Sequence, residues 1–432
     1  MIKPPRLGKQ AAYVVSLILA LALPSWAELV PGSIEEGESE LATLSAYPIP
    51  GPKLNDCPVI LVHGIVGYGQ DARIPISAWG GMADYRALLV REGWNVHSAS
   101  LGPLSSNWDR ACELFAYIRG GRVDYGAAHS ARCGHARFGR EQPGVLDNWD
   151  EAHKVNLLCH SMGGQTGRLL ALLLEEGVAE ECAASPGDVS ELFRGGHHWI
   201  LGIVTLASPH DGSTLALVAD RAGEAFTRSV ALIIAASSPP YDPILDHWGL
   251  DRRGGESVAA YASRLMANDS WYRGEDGCYR ELHPAGASAF NARVPACPDI
   301  YYFSWADRST IRVAGLELGD LDLNTLLLPT ALLMAAPGQV DGNLRLGPEW
   351  AANDGVVNTV SMDGPKNGSK DLIVKYEGTP LRGAWNHMGC LASTDHIDLL
   401  VMPTPPWYAP PGFDSSADWY RYNMRLLASL AD

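Results

Sequence analysis

The stretch Val155 to Arg168, VNLLCHSMGGQTGR, restricts the fold of this chain more than any other. A short apolar run, Val155 to Leu158, leads at once into Cys159-His160-Ser161-Met162-Gly163, and a leucine-rich stretch follows until Gly177. A strand, one serine on a sharp turn and then a helix make the layout of a nucleophile elbow. Such a turn lifts the serine hydroxyl above the sheet edge. The start of the helix behind it presents backbone N–H groups to whatever the serine attacks. The helix folds back close to the strand, so the flanking positions two residues either side of the serine must be small. Gly163 meets that need, and Cys159 stands at the other position, where glycine is usual.

Short apolar runs recur along the chain, at Val59 to Val62, Trp94 to His97, Val155 to Leu158, Ile200 to Leu206, Ile300 to Ser304 and Leu372 to Tyr376. Separated by helical patterns, they predict an α/β fold with a mainly parallel central sheet covered by helices on both faces. With 432 residues, 47% of them hydrophobic, the chain has the material for a large core. Gly102 to Asp150 is rich in Gly, His and Arg and poor in helical periodicity, and reads as an insert. Ser213 to Ser238 carries Leu217, Val218, Phe226, Val230 and Ile233 roughly on one helical face, which suits a core helix by default or a lid over a pocket.

The first 27 residues have the form of a secretory leader: Lys3, Arg6 and Lys9, an apolar run Ala11 to Leu23, then Ser25-Trp26-Ala27 for cleavage. That run is too short to span a bilayer, and no later stretch reads as a transmembrane segment. A secreted protein, extracellular or periplasmic, is therefore expected, with an acidic linker at 28–50 and the folded domain at 51–432. Losing the leader makes the formal net charge of −16 three units more negative. An acidic chain of this kind excludes nucleic acid as a partner and fits neutral substrates. Eight cysteines without a CxxC pair are not a disulfide scaffold. Cys278 with Cys297 is the first pair to test, and Cys159 is expected buried and unpaired.

A serine hydroxyl is a weak nucleophile until a base, normally a histidine oriented by a carboxylate, takes its proton. On an elbow the expected chain order is Ser, then Asp or Glu, then His. The late histidines are His387, in the polar stretch Trp385 to Gly389, and His396, where a loop enters the apolar run Ile397 to Val401. The second position suits a base held over a sheet edge. Acid candidates are Asp341, Asp354 and Asp363, of which Asp354 lies in the turn Asn353-Asp354-Gly355 directly before Val356-Val357. An oxyanion needs two N–H donors. Met162, after the serine, and Ile65, in the HG turn after Val59 to Val62, are the natural pair. His129 and His135 flank Cys133 in the insert, and two histidines with two carboxylates would fill a tetrahedral zinc shell.

Longer strings then carry a resemblance. GPLSSNWDRACE from Gly102, VDYGAAH from Val123, GHARFGR from Gly134, Gly195-Gly196-His197-His198, Pro209-His210-Asp211-Gly212, NDGVVNTVSM from Asn353 and the closing Leu427-Ala428-Ser429-Leu430 closely resemble the thermoalkalophilic bacterial lipases that carry a zinc subdomain. The likeness runs from about Pro58 to the C-terminus. It implies an α/β-hydrolase fold, with an inserted zinc subdomain at about 102–150 plus about 239–255 and a helical lid at about 213–238. It implies Ser161 as nucleophile, Asp354 as acid, His396 as base, and Ile65 and Met162 as oxyanion donors. A structural zinc would be held by Asp109, His129, His135 and Asp246. The implied activity is triacylglycerol lipase chemistry, on neutral lipid or ester substrates at a lipid–water interface. The alternatives are a carboxylesterase for short soluble esters and a non-catalytic zinc-stabilised lipid-binding protein.

Three departures matter. His387 stands where the family has an aspartate, which favours His396 as base. The lid stretch is shorter than the family's. The family's calcium ligands correspond to Asp398, in place of a glutamate, and to Met402-Pro403, where an aspartate is missing. Calcium is therefore expected to bind weakly or not at all.

Overall fold

The computed structural model of the chain describes residues 47–432 apart from 73, 75–76, 239–240, 269, 337 and 401–408. The expected leader and most of the expected acidic linker lie outside the described residues. A seven-stranded sheet runs through the core. In chain order its strands are β1 (Val59–Val62), β2 (Val96–Ser98), β5 (Val155–His160), β6 (Ile200–Leu206), β7 (Tyr301–Arg308), β12 (Ile373–Lys375) and β13 (Trp385–Ala392). Three two-stranded hairpins supply the rest: β3 (Gly121–Asp124) with β4 (Phe138–Gln142), β8 (Thr310–Val313) with β9 (Leu316–Gly319), and β10 (Val340–Asp341) with β11 (Leu344–Arg345).

The spatial order of the sheet is β12-β13-β7-β6-β5-β1-β2, and every neighbouring pair is parallel. All residues of β1, β5 and β6 are buried, as a parallel sheet covered on both faces demands. Side chains alternate between the faces. Ile60, Val62 and Leu157 join one core, while Val59, Leu61 and Leu158 join the other. The first core also takes Leu114 and Leu170 from helices α2 (Asn107–Arg119) and α4 (Gly163–Glu176). The second takes Leu89 and Leu427 from α1 (Tyr85–Arg91) and α8 (Ser416–Ala428). Sheet and covering helices therefore match the α/β expectation, as do the six predicted strands, two of them to the residue and the others with ends displaced by up to four residues.

Three local readings change. Trp385 to Gly389, read as a polar turn, is the first part of β13, a strand paired with β7. Its Asn386 is fully buried, because its Nδ2 donates to the carbonyls of Tyr302, Leu381 and Ala384. The insert is not poor in helix. It holds α2 and α3 (Ala127–Cys133). α2 buries eleven of its thirteen residues, so it has no polar face and no amphipathic period to read. Ser106 caps it by accepting from Asp109 N. Finally, 213–238 is two helices, α5 (Thr214–Ala222) and α6 (Glu224–Ser237), broken at Gly223, whose φ is 57°.

All eight cysteines are free. Cys278 and Cys297 are buried in separate clusters, which rules out the pairing expected first. Cys159 is buried and unpaired as anticipated; a Cβ on Gly167 would lie 3.0 Å from its Sγ. A glycine in the elbow helix thus makes room for the sulfur. Thiol titration of the denatured, unreduced protein is expected to find eight thiols; a deficit of two would reveal a disulfide.

Candidate active site and metal centre

The turn between β5 and α4 places Ser161 at φ 54°, in the left-handed region. A non-glycine residue there costs about 1–3 kcal/mol, and the surroundings hold it. Ser161 N–H donates to Leu206 O on the neighbouring strand. A Cβ on Gly163 would lie 2.3 Å from Val62 O, and one on Gly64 would lie 2.5 Å from Ser161 Cβ. Both glycines are therefore required by contact.

His396 Nε2 lies 3.0 Å from Ser161 Oγ, and His396 Nδ1 lies 2.7 Å from Asp354 Oδ2. The other carboxylate oxygen of Asp354 accepts the N–H groups of Val356 and Val357, at 2.8 and 2.7 Å. Asp354 is fully buried and His396 almost so. The rival acids are occupied elsewhere: Asp341 accepts from Ala285 N, and Asp363 pairs with Lys366. His387 touches Ser304 Oγ, two strands from the elbow. The N–H groups of Ile65 and Met162 have no acceptor among the described residues. Both residues border the nucleophile, Met162 directly and Ile65 on the wall of the cavity that Ser161 lines.

Three residues missed in the sequence hold this arrangement. His160 Nε2 lies 3.1 Å from His396 O. Burial and the neighbouring imidazole keep His160 neutral, so its ring N–H donates and fixes the backbone of the base. His63 is also held neutral by burial, its pKa lowered to about 3. Its Nδ1–H donates to Gly64 O, and its Nε2 accepts from Leu101 N. Arg110, fully buried, donates to Gly102 O, Thr166 Oγ1 and His63 O. It thereby ties the turn carrying Ile65 to the elbow helix. The sequence shows His160 and Arg110 as ordinary members of their elements, with no spacing to mark them.

Apolar cavities of about 150 Å³ and 80 Å³ meet at the Ser161–His396 pair. They share Ile65, Leu215, Phe226, Tyr272 and Val356. Leu215 and Phe226 come from α5 and α6, so the stretch first read as a core helix covers the site. Tyr279 OH donates to Asp220 Oδ1 of α5 at 2.5 Å, and Arg273 donates to Gly223 O, which fasten this cover.

The insert gathers a second set of polar groups. One ligand atom each from His129, Cys133, His135 and Asp276 lies within 4.8 Å of the others. Asp276 oxygens lie 3.0 and 2.8 Å from the Nε2 atoms of His129 and His135, and Asp109 Oδ1 lies 3.6 and 3.9 Å from the same two atoms. Asp109 Oδ1, Asp276 Oδ2 and the two Nε2 atoms are buried without a hydrogen-bond partner. Orphans converging from two imidazoles and two carboxylates fit a metal such as zinc. Cys133 Sγ instead reaches His129 through Nδ1, at 4.0 Å, on the other side of the ring. Although burial opposes it, His247 and His129 hold the Asp109 carboxyl well below the usual carboxylate range.

Asp246 is not part of this set, contrary to expectation. Its carboxylate is paired with Arg140 at 2.9 Å, and Asp276 fills the place assigned to it. The segment after Asp276 is pinned beside α2, since Ser106 N donates to Asp276 O and Cys278 N to Leu104 O. That long-range pairing leaves no mark in the sequence. His247, next to Asp246, instead binds Asp109 Oδ2 at 2.9 Å. Asp398 Oδ2 accepts from Asp395 N, and Met402-Pro403 lies outside the described residues.

Comparison with known proteins gives one consistent result. A family model described as "Lipase-like, C-terminal domain" matches residues 55–404. "Lipase 2" of Staphylococcus aureus is 36% identical over 361 residues, 80% of this chain and 50% of that protein. The chain thus spans about half the length of the curated relatives it matches. EstA from Clostridium botulinum has a solved structure similar to this one, with TM-score 0.79 at 36% identity over 99% of both chains. Lipase 1 from Pelosinus fermentans gives 0.75 at 38% identity, covering 88% of this chain and all of that one.

Replacing Arg110 by Met would strand three buried acceptors, each costing about 1–3 kcal/mol. Urea denaturation of Arg110→Met is expected to show a loss of at least about 3 kcal/mol, well above the change for an exposed arginine such as Arg132.

Proposed function

The chain belongs to the lipase family whose model spans residues 55–404, and from that premise we propose that it is a secreted serine ester hydrolase acting on acylglycerols. The observation that carries this reading is the hydrogen-bonded line Ser161–His396–Asp354 at 3.0 and 2.7 Å beneath an apolar cleft. His396 Nε2 takes the Ser161 proton as Oγ attacks the ester carbonyl. Asp354 holds the imidazole in the tautomer with Nδ1 protonated and balances the imidazolium. The free N–H groups of Ile65 and Met162 receive the oxyanion. His396 then passes its proton to the leaving alcohol, and water, deprotonated by His396 in turn, cleaves the acyl-enzyme. The cavities on either side of Ser161 suit an apolar acyl chain and an apolar alcohol portion. Their almost wholly apolar lining favours acylglycerols over the shortest soluble esters, the second reading.

Secretion is supported by the leader pattern of residues 1–27. Among the described residues no helix is long and apolar enough to cross a membrane.

His129, His135, Asp109 and Asp276 would hold a zinc ion, with Cys133 beside them. Bound there, zinc supplies a cross-link between the insert and the segment at Asp276. None of these residues lines the cleft over Ser161.

Ser161→Ala, Asp354→Asn and His396→Ala are each expected to lower ester hydrolysis roughly 10⁴-fold or more with the fold retained, and to be far from additive in pairs. His387→Ala is expected to keep activity; its loss there, with His396→Ala active, would overturn the assignment of the base.

Strong chelation or Asp276→Ala is expected to lower the melting temperature, because metal that binds only the folded state stabilises it. Asp246→Ala is expected to leave metal content unchanged. Elemental analysis and labelling of Ser161 by a fluorophosphonate at low temperature separate a structural from a catalytic metal: labelling should survive chelation.

Burial and the nearby Asp395 push the Asp398 carboxyl up to about 8. The folded state then binds this proton more tightly than the unfolded chain. The stabilisation is complete below the ordinary carboxylate range and is lost as pH rises through about 8. Asp398→Asn should flatten that decline in melting temperature. Calcium added to metal-stripped protein is expected to change it little, since calcium wants several carboxylates free to coordinate.

A further inference from the structure

The hairpin β8–β9 is built inside out. Ile311 pairs with Leu318 and Val313 with Leu316 across the ladder, so these four share one face. Leu316 is 65% exposed, and Ile311 and Leu318 are exposed as well. The opposite face carries Thr310, Arg312 and Glu317, and Glu317 is only 8% exposed. Its carboxylate is held by Arg308 and Thr310 at 2.8 Å each and by Arg312 at 3.4 Å. A hairpin on a soluble core normally turns its apolar face inward and its charges out. Single exposed leucines need no explanation, but an apolar face extended over neighbouring elements does.

The apolar surface continues. Leu316 and Leu318 share a groove with Leu332 of α7 (Leu328–Met334). Leu328 and Leu332, one helical turn apart, are both exposed. Just before α7, Leu327 is buried and lines the cleft over Ser161 and His396. α7 also packs on the cover helix α5. The exposed patch therefore begins where the cleft wall ends.

We propose that the outer faces of β8–β9 and α7 form the surface that seats this protein on a neutral lipid–water interface, so that the cleft mouth opens against the lipid. The inference rests on the reading of the protein as an acylglycerol hydrolase. Charge selects the occupant. Arg308 and Arg312 are both engaged by Glu317, and Asp320 and Asp322 follow β9, so the patch offers no unengaged cation of its own hairpin to anionic headgroups. Its apolar side chains match the surface of an acylglycerol droplet.

Adsorption is read in a Ser161→Ala background, so that no hydrolysis alters the interface. Partition of Ser161→Ala protein onto a triolein emulsion coated with phosphatidylcholine is compared with that of the same protein carrying Leu316→Ser and Leu318→Ser, and separately Leu332→Ser. The double variant is expected to lose adsorption at least tenfold and the single variant severalfold. In the active background, hydrolysis of dissolved p-nitrophenyl acetate should remain within twofold for both, which also reports an intact fold. Because the two variants lie on different elements, misfolding of one leaves the other to decide. Undiminished adsorption of a folded variant overturns the proposal. So does a parent that is dimeric by light scattering and becomes monomeric in the variants with adsorption unchanged, since the patch would then join two copies. A parent that hydrolyses dissolved esters but adsorbs to triolein and leaves it intact would instead contradict the acylglycerol reading, while the adsorption comparison still judges the surface.

Discussion

The close approach of the elbow helix to strand β1 is the constraint on which the site depends. Gly163 passes so near Val62 O, and Gly64 so near Ser161, that neither position has space for a Cβ. That contact goes with the left-handed conformation of Ser161, and the N–H groups of Ile65 and Met162 beside it have no acceptor among the described residues. The strain is local and modest beside the burial around it: β1, β5 and β6 are solvent-free on both faces. The fold can therefore hold an unfavourable backbone angle where chemistry requires one.

A second constraint joins the insert to this centre. Asp109 and Arg110 are neighbours on α2. Asp109 faces the His129–His135–Asp276 group, and Arg110 clamps the turn that carries Ile65. Adjacent residues on one buried helix thus look toward two sites. Losing order at that group would loosen the same helix that steadies the turn at Ile65, so a metal held there would affect activity without touching substrate.

How much of this was legible in the sequence follows from how local each signal is. The elbow and the HG turn are short-range patterns that single out Ser161, Ile65 and Met162 by position, while the Asn353–Val357 turn left Asp354 one of three candidate acids until the family likeness chose it. The parallel sheet shows as apolar runs because its strands are buried on both faces. α2 was hidden for the converse reason, since a helix buried all round has no period. β13 was hidden by Asn386, whose side chain is satisfied by three carbonyls that are distant from it in any local reading. Asp276 was missed and Asp246 chosen because the donor set is assembled by pairing between 104–106 and 276–278, which no spacing rule reports. Family likeness implied two aspartates and two histidines, and the structure brings Asp109, His129 and His135 together but sets Asp276, not Asp246, beside them. The inverted hairpin was invisible as such, because alternation tells which residues share a face and not which face meets solvent.

The central claim is that Ser161, activated by His396, carries the acyl group between two half-reactions. Rapid mixing with a p-nitrophenyl ester, acid quenching and mass analysis of the peptides test it most directly. The account predicts a burst approaching one p-nitrophenol per chain whenever deacylation is the slower half, with the acyl group recovered on Ser161 and absent from His396→Ala protein. An acyl group trapped on another residue, or steady hydrolysis that persists undiminished in Ser161→Ala protein, would contradict it.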